Sequence, residues 1–365
     1  MLPALRSGGV EQGTVEVTAA LVRAGHRALV MSAGGPMVRA VEQAGGEHVA
    51  WPVGEKSLFT LRHVPRLRGF LAREAVDIVH PRSRLPAWIA WLAWRSMRAA
   101  RRPRLITTVH GFYRVGRYSA VMMRGERVIC VSNAIRDHVL AHYPHVPQQR
   151  LVVIPRGIDH ARYPHGYVPP TAWLRAWHTA LPQLGTRRVL LLPARLTRLK
   201  GHADFLALVA ELLAQGMDVH GLVVGGEDAR HAGYARELRA LARELALDER
   251  VSFLGHRTDL REVMAVSDLV LSLSATPESF GRTVLEALSL GRPTVGYAHG
   301  GVAELLDTLY PQGAVAPGDT GQLHRRAHAL LLDAPAVRRF QAFTLTDMLA
   351  STLAQYEALG GMRAR

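Results

Sequence analysis

Short runs of β-branched and aliphatic residues alternate along this chain with longer segments whose apolar positions recur at helical spacing. Such alternation predicts parallel sheets covered by helices on both faces. In the first half, strands are expected at 27–31, 47–51, 77–80, 105–109, 127–131 and 151–154. Helices are expected at 15–24, 36–44, 64–74, 87–99 and 133–141. A proline-rich stretch at 163–170 interrupts the pattern, which restarts with strands at 188–192, 219–224, 251–254, 269–273, 294–297 and 313–315. Helices at 203–215, 234–245, 259–265 and 282–290 separate those strands, and a last helix is expected at 343–359. The reading is two doubly wound α/β domains, with a ligand expected outside the carboxyl ends of the strands.

Composition changes this picture little. A chain of 365 residues, 48% of them apolar, can build two such cores. No apolar run reaches the ~18–20 residues of a membrane span. Residues 1–5 lead straight into a glycine motif without the charged and apolar regions of a signal peptide, so the expected location is cytoplasmic. Cys130, the lone cysteine, lies inside the apolar run 128–131 and reads as a buried strand thiol.

Charge is more informative. The formal net charge is +15, and residues 1–160 carry 23 Lys and Arg against 10 Asp and Glu, while the rest carry 22 against 20. A basic first half attracts nucleic acid, anionic lipid or acidic substrates. With no helix-turn-helix, zinc spacing or aromatic RNA-binding motif, nucleic acid is not an expected partner.

The densest chemistry lies at 277–301, PESFGRTVLEALSLGRPTVGYAHGG. Glu278 precedes a glycine turn, and Glu286 lies eight positions on, within the following helix. The free amides of Phe280, Gly281 and Arg282 at that helix start favour a phosphate or sugar hydroxyls. Upstream, in ARLTRLKGH, Arg195 and Lys200 sit at a strand-to-helix junction suited to a diphosphate, with cations aimed at charge that develops on a leaving group. Gly8 and Gly9 form a turn before a helix that could face the same phosphates. His110, Arg82 and Arg84 follow strand ends, as does Arg156. Post-strand loops at 225–227, 255–259 and 299–301 complete the set, and no carboxylate pair suits a metal.

Seven strings carry a resemblance: SGGVEQGT at 7–14, HPRSRLPAW at 80–88, TTVHGFY at 107–113, VICVSNAI at 128–135, VIPRGID at 153–159, PARLTRLKGH at 193–202 and the segment 277–301. In this order they resemble the retaining glycosyltransferases of family 4. The resemblance implies the α/β GT-B fold, two Rossmann-like domains facing across a cleft. It assigns 1–165 to the acceptor side and 185–342 to the nucleotide-sugar donor, with a C-terminal helix at 343–365 packing back towards the first domain. It implies transfer from a nucleotide-diphosphate sugar, a UDP-sugar first, to a glycan or lipid-linked acceptor in lipopolysaccharide or other cell-surface glycan synthesis. No cofactor and no metal are implied.

By the same resemblance Arg195 and Lys200 hold and stabilise the departing diphosphate, Glu278 contacts the transferred sugar, Glu286 binds ribose hydroxyls, and His110 faces the sugar. Gly8, Gly9, Gly226, Phe280, Gly281, Arg282 and Thr283 line the donor. The family's first strand begins several residues earlier than Met1-Leu2-Pro3 here, so that strand is either short at its edge or continues upstream. Two other readings stay open, a GT-B nucleotide-sugar epimerase and a non-catalytic nucleotide-sugar-binding scaffold. At 87–104, Trp88, Trp91 and Trp94 precede five arginines: either the tryptophans pack inward, or the helix lies peripherally on an anionic inner membrane surface.

Overall fold

A computed structural model of the protein describes residues 1–6, 8–227 and 232–360, so Ser7 and the tail 361–365 named above lie outside the described residues. The chain divides into two compact units, Met1–Gly157 with Leu345–Arg365, and Ile158–Thr344. Residues 158–165, expected with the first domain, belong to the second unit: Ile158 is buried in the second unit's core and donates its N–H to Phe343 O at 3.0 Å.

In the first unit, helix α1 (Gly9–Arg23) precedes β1 (Leu29–Ser32), α2 (Val38–Gln43), β2 (Glu47–Ala50), α3 (His63–Arg73) and β3 (Ile78–Val79). Then come α4 (Arg84–Ser96), β4 (Arg104–Val109), β5 (Arg127–Cys130), α5 (Asn133–His142) and β6 (Leu151–Val153). All pairings are parallel, in a two-stranded sheet β1-β2 and a four-stranded sheet β3-β4-β5-β6. α1 starts six residues earlier than the periodicity at 15–24 suggests, because Gly9 is itself helical and Glu11 favours the first turn. α4 ends at Ser96 rather than 99 or 104. Met97 is extended, and Pro103 biases Arg102 away from the helical region before β4 begins.

The second unit contains α6 (Thr171–Ala180), β7 (Arg188–Pro193), α7 (His202–Ala214), β8 (Val219–Val224), α8 (Ala232–Glu244), β9 (Val251–Gly255), α9 (Leu260–Ala265) and β10 (Leu269–Ser272). It closes with α10 (Arg282–Ser289), β11 (Thr294–Tyr297), α11 (Gly301–Leu309), β12 (Ala314–Val315) and α12 (Thr320–Leu332). Its six strands form one parallel sheet in the order β12-β11-β10-β7-β8-β9. Every residue of β8 and β10 is buried, as expected of strands covered on both faces.

The last helix, α13 (Leu345–Ala358), rejoins the first unit. Met348, Leu349 and Tyr356 pack there with Val17 and Ala20 of α1, Ile106 of β4 and Ile129 of β5. The Tyr356 hydroxyl is 2.7 Å from His80 Nδ1.

Candidate functional site

Within the second unit, the functional side chains stand where strands end. β7 delivers residues 194–200, closed by a single turn at Arg198–Lys200 and by Gly201, whose left-handed φ of 69° opens α7. A Cβ at Gly201 would lie 2.0 Å from Leu273 O, so glycine here lets the Lys200 turn press against the end of β10. Lys200 Nζ thereby reaches Glu278 Oε1 at 2.6 Å and Ser274 Oγ at 3.3 Å. The Ser274 hydroxyl also donates to Glu278 Oε1, and His299 Nε2 donates to Ser274 O at 2.7 Å. The backbone of Glu278 is pinned by Gly301 N–H to its carbonyl at 2.7 Å. Burial pushes the Glu278 carboxyl up, but the charge and hydrogen bond of Lys200, with Ser274 and His299, outweigh it and hold the carboxyl below its usual range.

Glu286 behaves oppositely. It is buried in α10, with Arg282 Nε 3.0 Å from Oε1 and a hydrogen bond from Tyr163. Burial dominates and raises its pKa above the usual carboxylate value. Arg282 is thus engaged along its own helix. The Phe280 side chain is buried in the core, with Phe343 at 5.9 Å between ring centroids, which leaves only its backbone for a ligand. Gly281, at φ 90°, caps α10, and Thr283 is half-buried in its first turn.

Arg195 is exposed and carries no ion pair among the described residues. Gly226 joins its loop, since Gly226 O accepts from Leu196 N–H at 3.2 Å, and Gly225 has no room for a Cβ against Ala194 O at 1.9 Å.

The first unit gathers a second constellation. Arg156, just beyond β6, places Nη2 3.1 Å from His110 Nδ1 and 3.4 Å from Gly9 O. A guanidinium only donates, so Nδ1 accepts and the His110 proton resides on Nε2, which is buried and has no hydrogen-bond partner among the described residues. Burial, then Arg156 and Arg82, push the His110 pKa well below its ordinary value. His110 is a neutral donor. Gly13 makes this arrangement possible, for its Cβ would stand 2.7 Å from Arg156 Nη1. Gly8 caps α1 with the Glu11 carboxylate against it, while Gly9 has open space where a Cβ would be.

Arg82 is buried and donates to Gly13 O at 3.2 Å, and Arg84 stacks over Tyr113 and Tyr118. Cys130 is buried, and burial pushes its thiol up to about 12, which removes it as a nucleophile.

The α4 tryptophans are half-buried and internally engaged. Trp88 Nε1 donates to Tyr118 O at 2.9 Å and Trp94 Nε1 to Pro103 O at 2.8 Å. Arg95 and Arg124 lie over Trp91, and Arg102 over Trp94. No helix among the described residues is long and apolar enough to cross a membrane.

Of the expected residues, Lys200 and Glu278 are in direct contact, Arg282 and Glu286 pair, and His110 joins Gly9 through Arg156. Ser274, Tyr163 and Gly13 take part without having been anticipated. Ser274 had a signal, a hydroxyl two residues past a strand end and four before Glu278. Gly13 lies inside the string at 7–14, and Tyr163 had no signal beyond residue type.

Comparison with known proteins gives matches along most of the chain. Residues 7–162 match the family Glycosyltransferase Family 4, and residues 175–344 match Glycosyl transferases group 1. A D-inositol 3-phosphate glycosyltransferase of Corynebacterium kroppenstedtii is 29% identical over 191 residues, which is 51% of this chain and 41% of that protein. The chain thus spans under half the length of this relative. Among solved structures, a glycosyltransferase from Rickettsia africae superposes with a TM-score of 0.83 at 25% identity, over 99% of this chain and 98% of its own. Anabaena HepE, solved with UDP and glucose, has a TM-score of 0.74 at 21% identity, over 98% and 99%.

Proposed function

Because the chain belongs to the GT-B glycosyltransferases, we propose that it moves a sugar from a nucleotide diphosphate to an acceptor hydroxyl, with retention at the anomeric carbon. The bond from the anomeric carbon to the diphosphate oxygen breaks as the acceptor oxygen bonds to the same face of that carbon. The acceptor proton passes to the departing phosphate oxygen. Lys200 and Arg195 are the cations that offset charge on the leaving group, a role in which each such contact contributes about 10²–10³ in rate. Glu278 is a positioning group for the transferred sugar and not a nucleophile. Glu286, with Tyr163 and Arg282, is the ribose acceptor. Gly226 and the backbone from Phe280 to Thr283 give the close approach and amide donors for the donor's polar groups.

The observation that carries this reading is the contact of Lys200 with Glu278, 2.6 Å apart on two different post-strand loops. A cation suited to phosphate beside a carboxylate suited to sugar hydroxyls supports the reading. UDP is the expected nucleotide, supported by the UDP in the HepE structure. Metal independence follows from charge compensation by Arg195 and Lys200 and predicts full turnover in excess EDTA. The decisive experiment is donor turnover with and without acceptor by the chain carrying Lys200→Ala and Glu286→Ala together. Retained transfer by that variant would sink the assignment, and an altered sugar formed without acceptor would favour an epimerase.

The proposed acceptor is lipid-linked or a growing cell-surface glycan such as lipopolysaccharide, met at an anionic cytoplasmic membrane surface. The basic first half supports this, together with Phe59 and Leu61, which are 76% and 50% exposed among Lys56, Arg62 and Arg68. Flotation with phosphatidylglycerol vesicles tests it: salt-sensitive binding that weakens in Phe59→Ser is expected, and no binding at low salt refutes it.

A further inference from the structure

The first unit carries a cation whose charge no described residue balances. Arg84 is the first residue of α4, where the partial positive charge of the helix end disfavours a guanidinium, and the first turn of α4 holds no acidic residue. Arg27, Arg104 and Arg136 of the same unit stand in ion pairs, whereas Arg84 forms none among the described residues. Helix stability does not account for it.

The loop after β4 holds the side chain instead. The guanidinium carbon lies 4.9 Å from the centre of the Tyr113 ring and 5.3 Å from that of Tyr118, and Nη1 donates to Ser119 Oγ at 3.4 Å. The loop is itself tied down along its length. Tyr113 Oη accepts from His110 N–H at 3.4 Å, Gly116 N–H donates to the Tyr143 hydroxyl at 3.2 Å, and Tyr118 O accepts from Trp88 Nε1 of α4. Ser119 Oγ donates to Arg114 O at 2.7 Å. Aromatic rings attract a guanidinium through its charge and leave its N–H edge for a planar partner. The long bond to Ser119 is the only hydrogen bond of that edge among the described residues.

The surroundings fix the sign of the partner. The segments that follow β3, β4, β5 and β6, at 80–84, 110–118, 131–132 and 154–157, contain Arg82, Arg84, Arg114, Arg117 and Arg156 and no Asp or Glu. Glu11 and Glu16 of α1 lie close enough to Arg82 to act on its charge. Cations gathered at one edge of a sheet attract an anion. Through Tyr113, the Arg84 guanidinium adjoins His110.

We infer that Arg84 determines specificity for an acidic acceptor, pairing its N–H edge with a carboxylate or phosphate on the acceptor sugar beside His110. The inference rests on the transfer reading above, in which an acceptor hydroxyl must be brought to the donor. Carboxylate and phosphate both present two oxygens that match the guanidinium fork. A neutral acceptor would leave that edge unpaired and lose affinity.

Ligand-observed NMR on the full chain tests it, with saturating UDP present to occupy the donor's cations and D-glucuronate, D-glucose 6-phosphate and D-glucose as probes. At least one acidic sugar is expected to bind about 10-fold or more tightly than glucose, and whichever binds tighter identifies the anion as carboxylate or phosphate. Arg84→Gln should bring the acidic sugar down to the level of glucose while leaving UDP affinity unchanged. Arg84→Lys keeps the charge should the first variant fold poorly, and should restore only part of the binding because an ammonium lacks the fork. Lys200→Met should do the reverse, weakening UDP and sparing the acidic sugar. Three sugars bound alike, or acidic-sugar binding untouched in both Arg84 variants, would overturn the inference. So would Arg84 variants that weaken UDP as much as the acidic sugar, since the anion read there would then be the donor's. A wild type that binds the acidic sugar through Arg84 but does not bind UDP would sink the transfer reading and support the anion site.

Discussion

Replacing Lys200 with methionine keeps the length of the stem and removes the charge that holds Glu278 ionised. In the folded protein Glu278 would keep the hydrogen bond from Ser274 and the nearby His299, but the two largest influences that oppose its burial, the charge and the hydrogen bond of Lys200, would be gone. The two side chains retain 29% and 23% of their exposure, so the pair lies between two measured regimes. Surface pairs contribute about 0–1 kcal/mol and fully buried pairs broken on one side lose about 3–5 kcal/mol. We expect a loss of about 1–3 kcal/mol at pH 7, or roughly 2–10 °C in melting for a unit of this size.

The pH dependence is the sharper part. A carboxyl whose folded pKa is depressed contributes stability that is fully present above its unfolded value and is lost as pH falls through the folded value. For Glu278 that window lies below 4.5. Thermal melts of wild type and Lys200→Met should differ at pH 7 and converge as the pH falls below 4.5, and Glu278→Gln added to Lys200→Met should recover most of the loss. A difference that stays constant from pH 7 to pH 3.5 would refute the reasoning, because it would arise from the lysine stem and not from the charge.

Glu286 should respond in the opposite sense. Its folded pKa is raised, so its burial costs stability as pH climbs past the ordinary carboxylate value; Glu286→Gln is expected to melt higher than wild type at pH 7, to lose that advantage towards pH 4, and to bind nucleotide sugar at least ~10-fold more weakly by calorimetry. Since His110 is neutral with its proton on Nε2, the pH–rate profile should show no limb near 6.5, and His110→Ala should lower kcat about 10²-fold without adding one; a limb near 6.5 that vanishes in the variant would contradict this. Gly9→Ala, with open space at its Cβ, should leave melting within about 2 °C while raising substrate KM, whereas Gly225→Ala, whose Cβ would meet Ala194 O, should lower melting by more than about 5 °C.

Much of the fold was legible because strands such as β8 and β10 are buried on both faces and so read as unbroken apolar runs. Less could be read where local pattern and backbone geometry part company. The Trp and Arg spacing of α4 continues past Ser96, yet the chain turns there to deliver Arg104 to β4. Arg195, Lys200, Glu278 and Glu286 stood out by residue type and place relative to strands. Their pairing did not, because the contact of Lys200 with Glu278 depends on a glycine, Gly201, whose fit against Leu273 O is a three-dimensional fact. The opposed pKa shifts of the two glutamates were equally hidden. They follow from which partner, Lys200 or Arg282 with Tyr163, stands against burial, and from the deeper burial of Glu286.

The return of α13 to the first unit has a consequence for the order in which the protein can be completed during synthesis. The second unit begins and ends at neighbouring positions, Ile158 bridging Thr344, so everything it needs has been made once Thr344 is out. The first unit, although most of it precedes Ile158, still lacks Met348, Leu349 and Tyr356 from its core at that moment. The unit started first is finished last, and a cut within α13 damages the unit whose other residues lie farthest from it in sequence.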